Sequence, residues 1–377
     1  MAGKNVQAKN NGKTMNLQEL TTEELQQHRT QAINEISKYN NIQMAKKIQL
    51  NSAYGAVGSE YFRYYDLRNA EAITLGGQLA IKWIEKKLNA YLNDICKTDD
   101  YDFVVAIDTD SVYLRLDKIV KGSYKGKELP DKNKIVDLLD TISKKAIEPF
   151  IDKSYEELAD YVNAYEQKMQ MGRESISDTG LWTAKKRYAL NVYDNEGVRY
   201  AKPKMKVMGL EIVKSSTPAN VRDKLKESVA VMLNGNEQQI RDIVHKYKSD
   251  FYDLPPEDIS FPRGINDYKK YLTQDNRIPI HVKGAMLFNK LLDKHGINTI
   301  EKITDGTKVK FAYLKTPNPY HQNVISFVGG LPKEFDLERW IDYDIQFEKA
   351  YIKPLEGLLT PMGWDWEEKS SLESYFS

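Results

Sequence analysis

Residues 101–116 read YDFVVAIDTDSVYLRL, and they place two carboxylates two residues apart between apolar runs. Phe103–Ile107 has the length of a strand, and Val112, Leu114 and Leu116 alternate with Ser111, Tyr113 and Arg115. The pattern predicts a β-hairpin with Asp108 and Asp110 at its tip. Ionised oxygens at the end of a sheet need compensation when they lose water. A hard divalent cation is a natural compensator because it takes oxygen ligands. A solvated acidic turn has the same local spelling, so the triplet alone leaves both readings open. A second candidate group lies upstream in QMAKKIQLNSAYGAVG. At 3.6 residues per turn, Lys47, Asn51 and Tyr54 fall on one stripe of a helix. A cation, an amide and a phenol on one face suit a phosphate and a base better than a core. The alternative is a solvated face ending at the breakers Gly55 and Gly58.

Further motifs occur in order along the chain. Lys47–Gly55 is K-x-x-x-N-S-x-Y-G, Asp108–Ser111 is D-T-D-S, and Lys185–Tyr188 is K-K-R-Y. Lys206–Thr217, KVMGLEIVKSST, contains K-x-x-G-x-E. Four such segments at these spacings resemble motif B, motif C, the K-K-R-Y motif and the following segment of the family B DNA polymerases. FRYYDLRNAEAIT (62–74) and AKKRYALNVYD (184–194) are similar to the T-even-type phage branch of that family. The resemblance runs from about Leu17 to the C-terminus.

The resemblance implies the following roles. Asp110, with Asp108 beside it, binds two Mg²⁺ ions that act on the transferring nucleotide. Lys47, Asn51 and Tyr54 bind the incoming dNTP, and Gly55 lets the template approach. Lys185, Lys186, Arg187 and Tyr188 meet the primer end, Lys186 through minor-groove acceptors shared by all base pairs, and Lys214 adds a phosphate contact. No D-x-x-S-L-Y-P (motif A) is present, nor the acidic motifs of a 3′→5′ exonuclease. The expectation is therefore the C-terminal part of a polymerase, either from a split gene or as a fragment, with Met1 and a polar leader favouring the split. A partner polypeptide would supply motif A, sharing the ions, together with the rest of the fingers and the exonuclease. Gly172 in GRESIS stands where the phage enzymes usually carry Asp, which questions a third carboxylate near the ions. Two other readings are a non-catalytic duplex-binding module and a stand-alone nucleotidyl transferase or cyclase with a palm-like hairpin. Intact Asp110, Lys47 and Lys186 argue against the first, and the K-K-R-Y motif and long C-terminal region against the second.

These residues need elements to hold them. A chain of 377 residues can build two or three compact units. Its net charge of +1 does not advertise nucleic-acid binding, but a local basic surface suffices. The single cysteine, Cys96, excludes an intrachain disulfide framework. No long apolar span is visible, and a soluble protein of the phage-infected host cytoplasm is expected, without membrane partners. The predicted fold class is α+β: an antiparallel-sheet palm, a helical fingers end and a mostly helical thumb. The expected divisions are a disordered leader over 1–16, fingers over 17–60, palm over 61–215, thumb over 216–366 and a tail over 367–377. Thr21 and Glu24 predict a capping box opening a helix to about Tyr39, with a break at Asn40-Asn41 before a second helix. A long helix follows, with Ile73, Ala80, Trp83, Ile84, Leu88, Tyr91 and Ile95 as its apolar face. Residues 134–170 read as helices, and strands are expected from Trp182, with a turn at Asp194–Gly197. Pro218 is expected at the first position of the helix that opens the thumb. In the tail, Leu372, Tyr375 and Phe376 resemble the end that binds the sliding clamp.

Overall fold

In the computed structural model, the structure describes residues 20–124, 128–273 and 278–368, and the backbone of strands β1 (Gln7–Asn10) and β2 (Lys13–Asn16). These strands pair antiparallel inside the leader that was expected to lack structure. The chain divides into two compact units. The first spans 1–93 and 99–114, and the second spans 94–98 and 115–377.

In the first unit, α1 (Thr22–Val57) is one helix of 36 residues. Its start matches the sequence expectation: Thr21 Oγ1 accepts from Glu24 N, and Glu24 Oε2 accepts from Thr21 N. The break expected at Asn40-Asn41 is absent. Asparagine costs a helix under about 1 kcal/mol, and neither glycine nor proline stands between Thr22 and Gln49 to stop propagation. Gly55 is likewise inside the helix rather than its breaker, and Gly58 is the C-cap. No residue of α1 is buried. An aromatic bend (residues 59–66) leads to α2 (Leu67–Cys96). Ala70, Ala80, Ile81, Ile84, Leu88 and Leu92 form its buried face, while the expected Ile73 and Ile95 are exposed. Strands β3 (Val104–Asp108) and β4 (Ser111–Leu114) form the predicted hairpin.

The second unit begins with α3 (Asp117–Tyr124), α4 (Lys132–Ile142), a π-turn (Ser143–Ile147) and α5 (Glu148–Tyr161). The helical run stops at Tyr161, so Met169 lies in irregular chain. A three-stranded antiparallel sheet follows: β5 (Ser175–Ala184), β6 (Arg187–Asn195) and β7 (Val198–Met208), with β6 central. It starts seven residues before the Trp182 expected from the sequence. One face packs through Ala189, Leu181, Met205 and Val207 on the main core.

That core is built mostly from α6 (Ala219–Asn234), α7 (Glu237–Tyr252), α8 (Pro256–Ile259), α9 (Tyr268–Thr273), α10 (Ile280–His295), α11 (Tyr343–Phe347) and α12 (Lys353–Leu359). Pro218 caps α6 from one position outside it. A sheet of order β10-β9-β8 lies among these helices: β8 (Phe261–Gly264), β9 (Lys308–Tyr313) and β10 (Val324–Phe327). It was not foreseen, because β8 is short and contains Pro262, a residue confined to sheet edges. The architecture is α+β, as the sequence implied, with more sheet in the C-terminal region than expected. No described helix is long and apolar enough to cross a membrane.

Candidate active site

The hairpin tip is the first candidate centre, and α2 sets its place. Asn89 and Asn93 lie one helical turn apart. Asn89 Oδ1 accepts from Phe103 N (2.9 Å) and Val104 N (3.1 Å). Asn93 accepts from Tyr101 N at 2.9 Å and donates to Tyr101 O at 2.8 Å. These amides hold the entering strand before it pairs with β4. Leaving such backbone groups unsatisfied costs about 1–3 kcal/mol each. Phe103 and Val104 are buried beyond them.

At the tip, Asp108 pairs with Ser111 across the two-residue loop Thr109-Asp110. Thr109 has φ 55°, and Asp110 N donates to Asp108 O at 2.6 Å. An i→i+2 bond across a positive φ has the form of a strained γ-turn, and positive φ in a β-branched residue is a genuine outlier. Such strain costs about 1–3 kcal/mol and clusters at functional sites. Glycine would relieve it, which marks the turn as a candidate functional feature. Thr109 Oγ1 donates to Asp108 Oδ1 at 3.0 Å, and Ser111 Oγ to Asp110 Oδ1 at 3.4 Å. Asp108 is half-buried and Asp110 exposed.

These carboxylates have the hard oxygen donors a divalent cation takes. Two carboxylates could contribute only part of a ligand set, and among the described residues no group of three or more His, Cys, Asp or Glu is arranged to hold a metal ion.

Lys47, Asn51, Tyr54 and Gly55 all lie on the exposed C-terminal part of α1. Tyr54 is 44% exposed, so it is not a core residue. A Cβ on Gly55 would meet nothing within 4 Å. Among the described residues its small size therefore answers no packing need, in contrast to Gly209 below.

The K-K-R-Y run is the second centre. Ala184 pairs with Arg187, so Lys185 and Lys186 form the two-residue turn between β5 and β6. Both are exposed, and Lys186 has φ 60°. Tyr188 is buried, registered opposite Trp182 and Met208, with its ring centroid 6.1 Å from that of Trp182. It serves the turn by packing.

The K-x-x-G-x-E segment clamps this turn. A Cβ on Gly209 (φ 66°) would lie 2.1 Å from Lys186 O, so only glycine fits. Leu210 is fully buried, and a 3₁₀ turn (Glu211–Val213) follows. Glu211 accepts from Arg187 Nη2 at 3.0 and 2.7 Å and from Lys214 Nζ at 2.9 Å. Burial pushes the Glu211 carboxyl up, but hydrogen bonding from Lys214 and the charge of Arg187 outweigh it and hold it below the usual range. The first residue of the segment, Lys206, pairs with Glu174 at 2.6 Å. Gly209 and Glu211 had no role assigned from sequence. Their signal was a glycine two residues before an acid at the end of a strand.

Gly172 and its neighbours form a third cluster. Arg173 N donates to Glu148 Oε1 at 2.9 Å, and a Cβ on Gly172 would lie 4.0 Å from the same oxygen. Glu148, at the start of α5, thus places a carboxylate beside Gly172, and among the described residues it joins no group arranged to hold a metal ion. The Arg173 guanidinium binds Asp140 (2.7 Å) and Asp194. Asp194 also receives Arg199 at 3.3 Å. Burial pushes Asp194 up, and hydrogen bonds from Arg173 and Gly197 N more than reverse it. Leu372, Tyr375 and Phe376 lie outside the described residues.

The comparisons agree with these motifs. The model of DNA polymerase family B matches residues 18–125. The DNA-directed DNA polymerase of Enterobacteria phage T4 is 40% identical over 354 residues, covering 89% of this chain and 39% of the phage protein. The DNA-directed DNA polymerase of Escherichia phage RB69 is 39% identical over 350 residues, covering 89% of this chain and 38% of that protein. The DNA polymerase of Pyrococcus glycovorans is 26% identical over 314 residues, covering 81% and 32%. The chain thus spans about two fifths of the length of its phage relatives. On this relationship, which covers both the Asp108–Asp110 hairpin and the K-K-R-Y turn, the chain belongs to the family B DNA polymerases.

Proposed function

We propose that this chain is the C-terminal part of a DNA-directed DNA polymerase of phage replication, working in the host cytoplasm. The observation that carries the reading is the strained Asp108-Thr109-Asp110 turn, which presents two carboxylates in a chain related to polymerases. Residues 17–60 form the end of the fingers, 61–215 the palm and 216–366 the thumb. Motif A, the rest of the fingers and the exonuclease come from an N-terminal partner polypeptide.

The reaction joins the primer 3′ oxygen to the α-phosphate of a dNTP and releases pyrophosphate. Mg²⁺ ions, held by Asp110 and Asp108 with the partner's motif A aspartate, supply charge stabilisation at the transferring phosphoryl group when bound. Lys47 binds the triphosphate as a point charge. Asn51 orients the helix near it, and Tyr54 packs on the minor-groove side of the nascent pair. Gly55 leaves room for the template. Lys186 reads minor-groove acceptors common to all base pairs, which suits an enzyme indifferent to sequence. Lys185, Arg187 and Lys214 hold the backbone near the primer end, and Tyr188 supports their turn. Leu372, Tyr375 and Phe376 in the tail tether the enzyme to a sliding clamp, raising its local concentration at the primer.

Primer extension tests this reading. The chain alone should extend a primer negligibly, and adding the N-terminal polypeptide should restore Mg²⁺-dependent synthesis. Asp110→Ala should abolish that synthesis while duplex binding persists, because phosphate contacts elsewhere carry affinity. Robust templated synthesis by the purified chain would sink the partner requirement, and full activity of Asp110→Ala would sink the metal-site assignment.

A further inference from the structure

Two cations assigned above to the DNA backbone, Arg187 and Lys214, share one carboxylate of this chain. That carboxylate is rigidly carried. Leu210, fully buried, anchors the chain just before it. Val213 N donates to Leu210 O at 3.1 Å, and Lys214 N to Glu211 O at 3.2 Å. On the other side of Leu210, Gly209 lies against Lys186 O with no room for a side chain. One short segment therefore fixes the turn bearing Lys185 and Lys186 and grips Arg187 and Lys214. The cations are held without being hidden: the Arg187 side chain is 36% exposed and that of Lys214 is 42% exposed. Glu211 takes Nη2 alone from the guanidinium, so Nε and Nη1 remain as donors for a second acceptor.

From this geometry we infer that Glu211 is a positioning residue for the DNA backbone: it holds Arg187 and Lys214 as a preformed pair of cations, aligned with the Lys185–Lys186 turn, for a phosphate of the bound duplex. The inference rests on the polymerase reading. Immobilised side chains do not have to be ordered when the ligand arrives, which is how preorganisation raises affinity. The opposite role is a counter-ion that a phosphate must displace.

The two roles predict opposite signs. Glu211→Gln removes a negative charge beside the DNA, so a competing counter-ion predicts tighter binding and a steeper salt dependence. A positioning residue predicts binding weaker by about three- to tenfold, with the slope of log K against log salt shallower by about one unit as one phosphate contact loosens. The measurement is fluorescence anisotropy of a labelled primer–template duplex with the full chain across a salt series, with circular dichroism to check folding. Glu211→Asp, which keeps the charge but shortens the reach, should fall between wild type and Gln. In an Arg187→Ala background, Glu211→Gln should cost less than it does in wild type. Unchanged or tighter binding by Glu211→Gln overturns the inference; if that variant does not fold, unchanged or tighter binding by Glu211→Asp does so. Absence of duplex binding by the wild-type chain at low salt overturns the polymerase reading and this inference with it, and is distinguishable from failure of Glu211 alone.

Discussion

Gly209→Ala isolates the contact that holds the K-K-R-Y turn. The substitution meets two separate costs. At φ 66° an L-residue is in the left-handed region, which costs about 1–2 kcal/mol. The new Cβ would also sit 2.1 Å from Lys186 O and 3.1 Å from Lys186 C. Both are backbone atoms and cannot rotate aside, so strands must move by more than an ångström. Overpacking of that kind costs about 1–3 kcal/mol. Loss of glycine's freedom in the unfolded chain offsets about 0.4–1 kcal/mol. The expected net destabilisation is about 3 kcal/mol. Gly197→Ala is the matched control: Gly197 also has positive φ (84°), but a Cβ there meets nothing within 4 Å. It should show the backbone cost alone, about 1 kcal/mol. Urea unfolding followed by tryptophan fluorescence measures both. Hydrogen exchange should also rise at Arg187 and Tyr188 in Gly209→Ala, because the strain is relieved by lifting the turn. If the two variants agree within about 0.5 kcal/mol, the Lys186 contact is not what requires glycine, and the clamp reading falls.

Gly55→Ala should make α1 more stable by about 1 kcal/mol, since the site is helical and open; in the assembled enzyme it should slow primer extension, and unimpaired extension would remove Gly55 from the template approach. Lys47→Ala should raise the KM for dNTP, with a fall in kcat as well if its phosphate contact strengthens in the transition state; unaltered nucleotide kinetics would defeat that role. Arg173→Ala should destabilise the second unit by about 3 kcal/mol, because it strips a partner from Asp194, whose side chain is 4% exposed. Asp194 is held below its ordinary pKa, so its contribution is present above about pH 4 and is lost as pH falls through the folded value. Acid titration of stability should therefore show a flatter acid limb in Arg173→Ala, and identical limbs in both proteins would refute the linkage.

The elements that carry the candidate site were legible in the sequence because they are local. A tight turn between alternating strands needs only neighbouring residues, so the Asp108–Asp110 hairpin followed from spacing alone. The capping box at Thr21 and the turn at Glu196-Gly197 are local in the same sense. The family resemblance rested on such short segments, and the comparisons bear it out. Propensity misled where the energies are small. Asn40-Asn41 does not break α1, and Ile73 and Ile95 on α2 face solvent despite their apolar side chains.

Tertiary structure alone decided which charges are engaged and which glycines are obligatory. Lys185, Lys186 and Arg187 are three consecutive cations in the sequence, yet only the fold turns Arg187 toward Glu211, 24 residues later. Gly55 and Gly209 read alike as letters. One stands in open space and the other against a carbonyl oxygen, a difference set by strand pairing between β6 and β7. The same holds for Glu148, which meets Arg173 N from 25 residues away. Spacing along the chain specifies turns and periodicity, because those depend on bonds between near neighbours. Which carboxylate neutralises a cation far along the chain, as Glu211 does Arg187, depends on distances across the fold, which separation in sequence does not specify.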